Sequence, residues 1–235
     1  MTLCDELLAE LRALANPANV AGMARYGINT VGTLGITIPT LRRIARRHQG
    51  DHALALCLWA SGLHEARILA AFVDHPAQVV DAQLEAQVAD LDSWDVCDQW
   101  CGLVWRTPFV HRKIDAWARR PEQFVRRAAF ALVAELAAHD RGMPDAAFVP
   151  LLALVEAHAD DDRNYVKKAV DWALRGIGKR NRALNALAVE TARRLSERPE
   201  RAARWIGRDA LRELRSAAVQ SRLAPAPPAQ APSAM

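Results

Sequence analysis

Apolar residues recur at helical spacing along almost the whole chain, and the segments they define are separated by short turn signals instead of long loops. The stretch Pro39-Thr-Leu-Arg-Arg-Ile-Ala-Arg-Arg-His48 puts Pro in a first turn, where no N–H is needed, and sets Leu41, Ile44 and Ala45 on one face. Further helices are expected over 51–60, 64–74, 77–90, 93–105, 109–119, 122–138, 145–158, 163–177, 181–196 and 199–215. Strand-like alternation occurs only within 30–37, where two glycines argue for a loop. Alanine and leucine dominate while Thr, Tyr and Phe are sparse, so intrinsic propensity agrees with periodicity. An all-α fold is expected.

Helices of this length with short connections pack as antiparallel neighbours. The spacing from one pair to the next, about 30 to 45 residues, falls in the range of HEAT and armadillo repeats. This favours an α-solenoid with an open concave groove over a compact bundle, whose centre would be hidden. Residues 1–223 are expected to form one such domain. The remaining 224–235 hold four prolines and no charge, and are expected to be a disordered tail.

Charge divides the chain unevenly. Residues 1–100 hold 7 Lys+Arg against 12 Asp+Glu, and residues 101–235 hold 24 against 15. A basic half attracts phosphates through clustered cations and counterion release, which points to nucleic acid. Four cysteines are scattered, Cys4, Cys57, Cys97 and Cys101, and only the last two sit close together, without the partners of a zinc site. Buried free thiols are the expectation for all four. The first residues carry neither a basic nor an apolar leader pattern, and no apolar run reaches a membrane span of ~20 residues. A cytoplasmic, monomeric protein without a membrane partner is expected.

Three segments carry side chains suited to chemistry on a polyanion. In Ser93-Trp-Asp-Val-Cys-Asp98, Trp94 and Asp98 stand four apart and share a helix face. An indole face beside a carboxylate stabilises a cationic transition state, as when a sugar loses its base. A helix start capped by Ser93, with Asp95 in its first turn, explains part of the same pattern. In Phe124-Val-Arg-Arg-Ala-Ala-Phe130, Arg126 and Arg127 project about 100° apart, so at most one of them faces a given groove, where it would either clamp a phosphate or form a salt bridge to a nearby acidic helix. In Asn164-Tyr-Val-Lys-Lys-Ala-Val-Asp-Trp-Ala-Leu-Arg-Gly-Ile-Gly-Lys-Arg-Asn181, Lys168, Trp172 and Arg175 follow helical spacing. Lys179 and Arg180 extend the charge past an expected break at Gly176–Gly178.

Taken with Leu34-Gly-Ile-Thr-Ile-Pro-Thr-Leu-Arg-Arg43, the runs Trp94-Asp-Val-Cys-Asp98, Arg126-Arg-Ala-Ala129 and Val166-Lys-Lys-Ala-Val-Asp-Trp-Ala-Leu-Arg175 resemble the DNA alkylation repair family of AlkD-type alkylpurine DNA glycosylases over about residues 25–215. The resemblance implies a HEAT-like solenoid around double-stranded DNA, removing N3- or N7-alkylated purines without metal, organic cofactor or base flipping. By the same resemblance Trp94 and Trp172 contact the lesion-bearing sugar, Asp98 supports the sugar cation and orients water, and Arg127 binds a phosphate. Ser93 stands where relatives can carry another Trp, only Tyr26 can supply an aromatic near 20–24, and 139–145 is a long connection. The alternatives are a solenoid that binds distorted or branched DNA without cutting, and a protein-interaction scaffold.

Overall fold

The computed structural model describes residues 2–224, and within them the chain forms helices and no strand. In order these are α1 (Leu3–Ala13), α2 (Pro17–Ala24), α3 (Ile38–Ala45), α4 (His52–Ala60), α5 (His64–Val73), α6 (Asp81–Ala89) and α7 (Trp94–Val104). They continue as α8 (Val110–Ala118), α9 (Gln123–His139), α10 (Phe148–Ala157), α11 (Asn164–Gly178), α12 (Arg182–Glu197), α13 (Arg201–Leu214) and α14 (Ala217–Leu223), with a 3-10 turn at Asp145–Ala147 before α10. Helix α6 starts later than periodicity suggests because the chain turns after Pro76.

Periodicity did not anticipate α1, α2 and α14. All three have local start signals: Thr2 and Asp5 form a capping box, Asn16 accepts from the Ala18 and Asn19 amides ahead of Pro17, and Ser216 accepts from Val219 N.

Helices α3, α5, α7, α9, α11 and α13 pack on one another in series, and α4, α8, α10 and α12 back onto α5, α9, α11 and α13. Two rows stacked in chain order make the expected HEAT-like α-solenoid. The glycines of α11 show how tightly the rows meet. A Cβ on Gly178 would lie 2.7 Å from Leu214 and 2.9 Å from Ala188, so Gly176–Gly178 continue the helix as a packing surface where a break was expected.

Burial sorts the seven tryptophans. Trp59, Trp100 and Trp117 form a ladder between the rows, with ring centroids 6.1 and 5.6 Å apart. Their indole N–H groups donate to Asp90, Gln87 and Glu85 on or just after α6, so this polar helix is tied to the core by three hydrogen bonds. Trp94, Trp105 and Trp172 are only partly buried and lie on the inner row.

Cys97 and Cys101 are buried free thiols, as expected, but Cys4 and Cys57 form a disulfide joining α1 to α4. Their Cα atoms are 6.3 Å apart across a separation of 53 residues, a proximity no local pattern encodes. Closing a loop of that size contributes roughly 2–4 kcal/mol. Thermal unfolding of Cys57→Ser, or of reduced protein, should show a lowered Tm; an unchanged Tm would mean the bridge adds nothing to stability.

The segment between α2 and α3 is a loop, as its glycines suggested, and it is pinned over the inner row. Buried Glu65 accepts from the Leu34, Gly35 and Ile36 amides at 2.8, 2.6 and 3.2 Å. Gly35 has φ +79°, and a Cβ there would meet Asn16 O at 2.3 Å. Of the expected tail 224–235, all but Ala224 lies outside the described residues.

Candidate active site and nucleic-acid interface

The inner row carries a trough in which α7, α9 and α11 each contribute one line of side chains. At its centre a cavity of about 340 Å³ is lined by Tyr26, Trp94, Asp98, Arg127, Tyr165, Lys168 and Trp172. Trp94 and Asp98 enter it together because they are one helical turn apart, and Lys168 and Trp172 for the same reason. Further space on one side reaches Arg42, Trp105 and Arg106, and on the other Arg141, Lys179 and Arg222; Trp172 borders all three. Lys168 is exposed, whereas Arg127 is 5% exposed.

Asp98 and Arg127 form a two-bonded ion pair inside this cavity. Arg127 Nε donates to Oδ1 at 3.0 Å and Nη2 to Oδ2 at 2.8 Å. Its third nitrogen, Nη1, donates to the Tyr165 carbonyl at 2.7 Å, and the guanidinium lies 6.0 Å from the Trp94 ring centre. Burial pushes the Asp98 carboxyl above its ordinary value, and the opposing pull of Arg127 does not fully cancel this. The pair therefore presents a held, partly desolvated anion to the cavity.

Two hydrogen bonds bring the α2–α3 loop across to this site. Trp94 Nε1 donates to Tyr26 O at 3.1 Å, and the Tyr165 hydroxyl donates to Gly27 O at 2.6 Å. Gly27 has φ +70°, and a Cβ there would strike the Tyr165 hydroxyl at 2.3 Å. Tyr165 is itself stacked on Phe124, with centroids 5.5 Å apart. Asp95, beside Trp94, turns away from the cavity to pair with buried His64 at 2.8 Å and to accept from Ser93 Oγ at 2.6 Å.

A family model described as DNA alkylation repair enzyme matches residues 7–214. The chain belongs to that family. No curated protein matches it. Among solved structures, one described as representing "a new family of proteins related to the HEAT-like repeat DNA glycosylases with affinity for branched DNA structures" is similar to it. The TM-score is 0.77 over 93% of this chain and 95% of that chain, at 16% identity. At that identity the likeness establishes the shared fold.

In this family member, the cations expected at phosphates divide sharply. Lys168 lines the cavity and enters no ion pair among the described residues. Arg127 instead has all three guanidinium nitrogens engaged within the protein, as above. Arg126 pairs with Asp161 at 2.8 Å, Lys179 with Glu213 at 2.7 Å, and Arg175 with Asp171 at 2.9 Å and also with Glu213. Arg180 donates to the Leu136, Ala137 and Met143 carbonyls and stacks over Phe148. Long side chains let these residues reach acids and carbonyls on neighbouring elements.

Other groups on the trough went unnoticed in the sequence. Arg42, Arg106 and Arg141 line it and make no ion pair among the described residues, and Trp105 stacks on His139 beside them. Arg42 lies in the 34–43 run and Tyr165 in the 164–181 run, and nothing local distinguishes Arg106, Arg141 or Trp105.

Behind the trough, Asp171 is 1% exposed and one of its oxygens has no hydrogen-bond partner. Burial, with Asp209 and Glu213 nearby and only Arg175 opposing, raises its pKa to about 7. The folded state then holds a proton that the unfolded chain has already lost between about pH 4 and pH 7. Stability accordingly falls as pH rises through that window. Asp171→Asn should raise Tm relative to wild type at about pH 8 and lose that advantage near pH 4; an equal effect at both pH values would refute the assignment.

Proposed function

We propose that this protein is a monofunctional DNA glycosylase that hydrolyses the N-glycosidic bond of N3- or N7-alkylated purines in duplex DNA, without drawing the base into a closed pocket. The observation that carries this reading is the Asp98 carboxylate, fixed by Arg127 in a cavity walled by Trp94 and Trp172, in a chain of the DNA alkylation repair family. Alkylation leaves the purine cationic, so no general acid is required. As the bond from sugar C1′ to the base nitrogen breaks, its electron pair goes to the purine and neutralises it. The sugar becomes an oxocarbenium-like cation, which the anion steadies by Coulomb attraction and the indole faces by their quadrupoles. Water aligned by Asp98 adds to C1′ and gives up one proton to bulk water, leaving an abasic sugar and a neutral alkylpurine.

The ionised form of Asp98 is the competent one, and its raised pKa moves the acid limb of activity above that of a solvent-exposed Asp. The test is release of 7-methylguanine from methylated duplex DNA; no release by wild type defeats the proposal. A second reading has support in the branched-DNA affinity reported for the structural relative. Salt-dependent binding to branched DNA with no abasic product would select it. Lys168→Ala should weaken binding to every duplex tested and lower the slope of log affinity against log salt by about 1. An unchanged slope would remove Lys168 from the interface.

A further inference from the structure

Helix α13 presents a second basic surface that the glycosylase reading leaves unused. Arg201, Arg204, Arg208 and Arg212 recur at three- and four-residue spacing and line a shallow cleft of about 480 Å³ together with Trp205 and Asp209. Trp205 is 38% exposed, and Lys167 of α11 holds its ammonium 5.0 Å from the indole centre. The two acids of α13 are already engaged. Glu213 pairs with Arg175 and Lys179, while Asp209 pairs with Arg212 and lies 3.9 Å from Arg175. Arg204 donates to the Arg198 and Pro199 carbonyls. Exposed Arg201 and Arg208, with Lys167, enter no ion pair among the described residues.

A large indole left in water among uncompensated cations suits a polyanion with flat or apolar faces between its charges, which describes a sugar–phosphate backbone. The position fits as well. Lys168 lines the Asp98 cavity while its neighbour Lys167 touches Trp205, so the patch starts where the cavity wall ends. Helix α13 packs directly on α11 in the inner row. Packed helices lie about 8–10 Å apart, which along B-DNA at about 3.4 Å per base pair is about three base pairs. In the central cavity only Lys168 is left for a phosphate among the described residues, since Arg127 is neutralised by Asp98.

We propose that the α13 face is a flanking clamp, in which Arg201, Arg208 and Lys167 hold backbone phosphates about three base pairs to one side of the lesion and Trp205 lies against a sugar. This rests on the DNA reading above. The test measures binding to duplexes carrying a tetrahydrofuran abasic analogue. One has flanks of about ten base pairs on both sides, a full helical turn; the others are cut to about two on one side or the other. Wild type should bind the long duplex more tightly than the one cut on the α13 side. The Arg201→Ala/Arg208→Ala double variant should show a smaller difference between the two than wild type, with a salt slope lower by about 2 on the long duplex, equal to about a tenfold difference between ~50 and ~200 mM salt. Trp205→Ala should weaken long-duplex binding without changing the slope. A double variant with wild-type affinity and slope overturns the clamp while leaving the glycosylase reading intact. Failure of wild type to bind any duplex at low salt overturns both. Because Arg201 and Arg208 are exposed and make no ion pair among the described residues, circular dichroism of the double variant should match wild type.

Discussion

Asp98→Asn should lower the rate of alkylpurine release about a thousandfold while leaving duplex affinity within about threefold of wild type. A loss of ~4 kcal/mol of transition-state stabilisation corresponds to that factor, and removing one fixed electrostatic partner from a water-poor site has effects of this order. Asn matches Asp in shape and still offers one oxygen to Arg127, while its amide nitrogen faces the other guanidinium N–H, so the change removes the charge and one of the two hydrogen bonds. Binding should persist because Lys168, proposed above to hold phosphate, and the trough arginines Arg42 and Arg106 make no ion pair with Asp98 among the described residues. The measurement is single-turnover release of 7-methylguanine from methylated duplex, with anisotropy for affinity. Full release by the variant would eliminate Asp98 as the catalytic anion.

Arg127→Ala has a different signature because it damages both the fold and the site. Removing one partner of a buried ion pair strands the other, a change that costs roughly 3–5 kcal/mol. The Tyr165 carbonyl also loses its donor, and Tyr165 in turn holds the α2–α3 loop through Gly27. For a domain of this size the expected drop in Tm is roughly 10 °C. Loss of the guanidinium also removes the opposing charge on Asp98, so its pKa rises further and residual activity fails at a higher pH than in wild type. Arg127→Ala combined with Asp98→Asn should recover part of the stability, since no buried anion is then left unpaired. An Arg127→Ala protein with unchanged Tm and an unchanged pH profile would show that the pair neither supports the fold nor sets the state of the carboxylate.

Asp98, Trp94, Trp172 and Lys168 were legible as a group because each pair is one helical turn apart and the family resemblance named three of them. Periodicity placed them on helices, and those helices formed with nearly the expected limits. The cations were read less well. A guanidinium on a long flexible chain can end several ångströms from its Cα, so helical spacing told nothing of Asp161 beneath Arg126 or of Glu213 beside Arg175 and Lys179. The same limit hid the Cys4–Cys57 bridge and the polar anchors of the tryptophan ladder, which depend on residues 13 to 53 positions away.

By itself, the order of residues determined that this chain forms stacked helices, and which faces of them are apolar. Helical spacing, caps and turn signals are local, acting over a few residues whatever the rest of the chain does. Only the tertiary structure decided which charges are left for a ligand. A cation's availability depends on whether an acid or carbonyl from another helix reaches it first, and that competition is settled by packing. It left Lys168 open in the trough, closed Arg127 onto Asp98, and exposed Arg201 and Arg208 around Trp205.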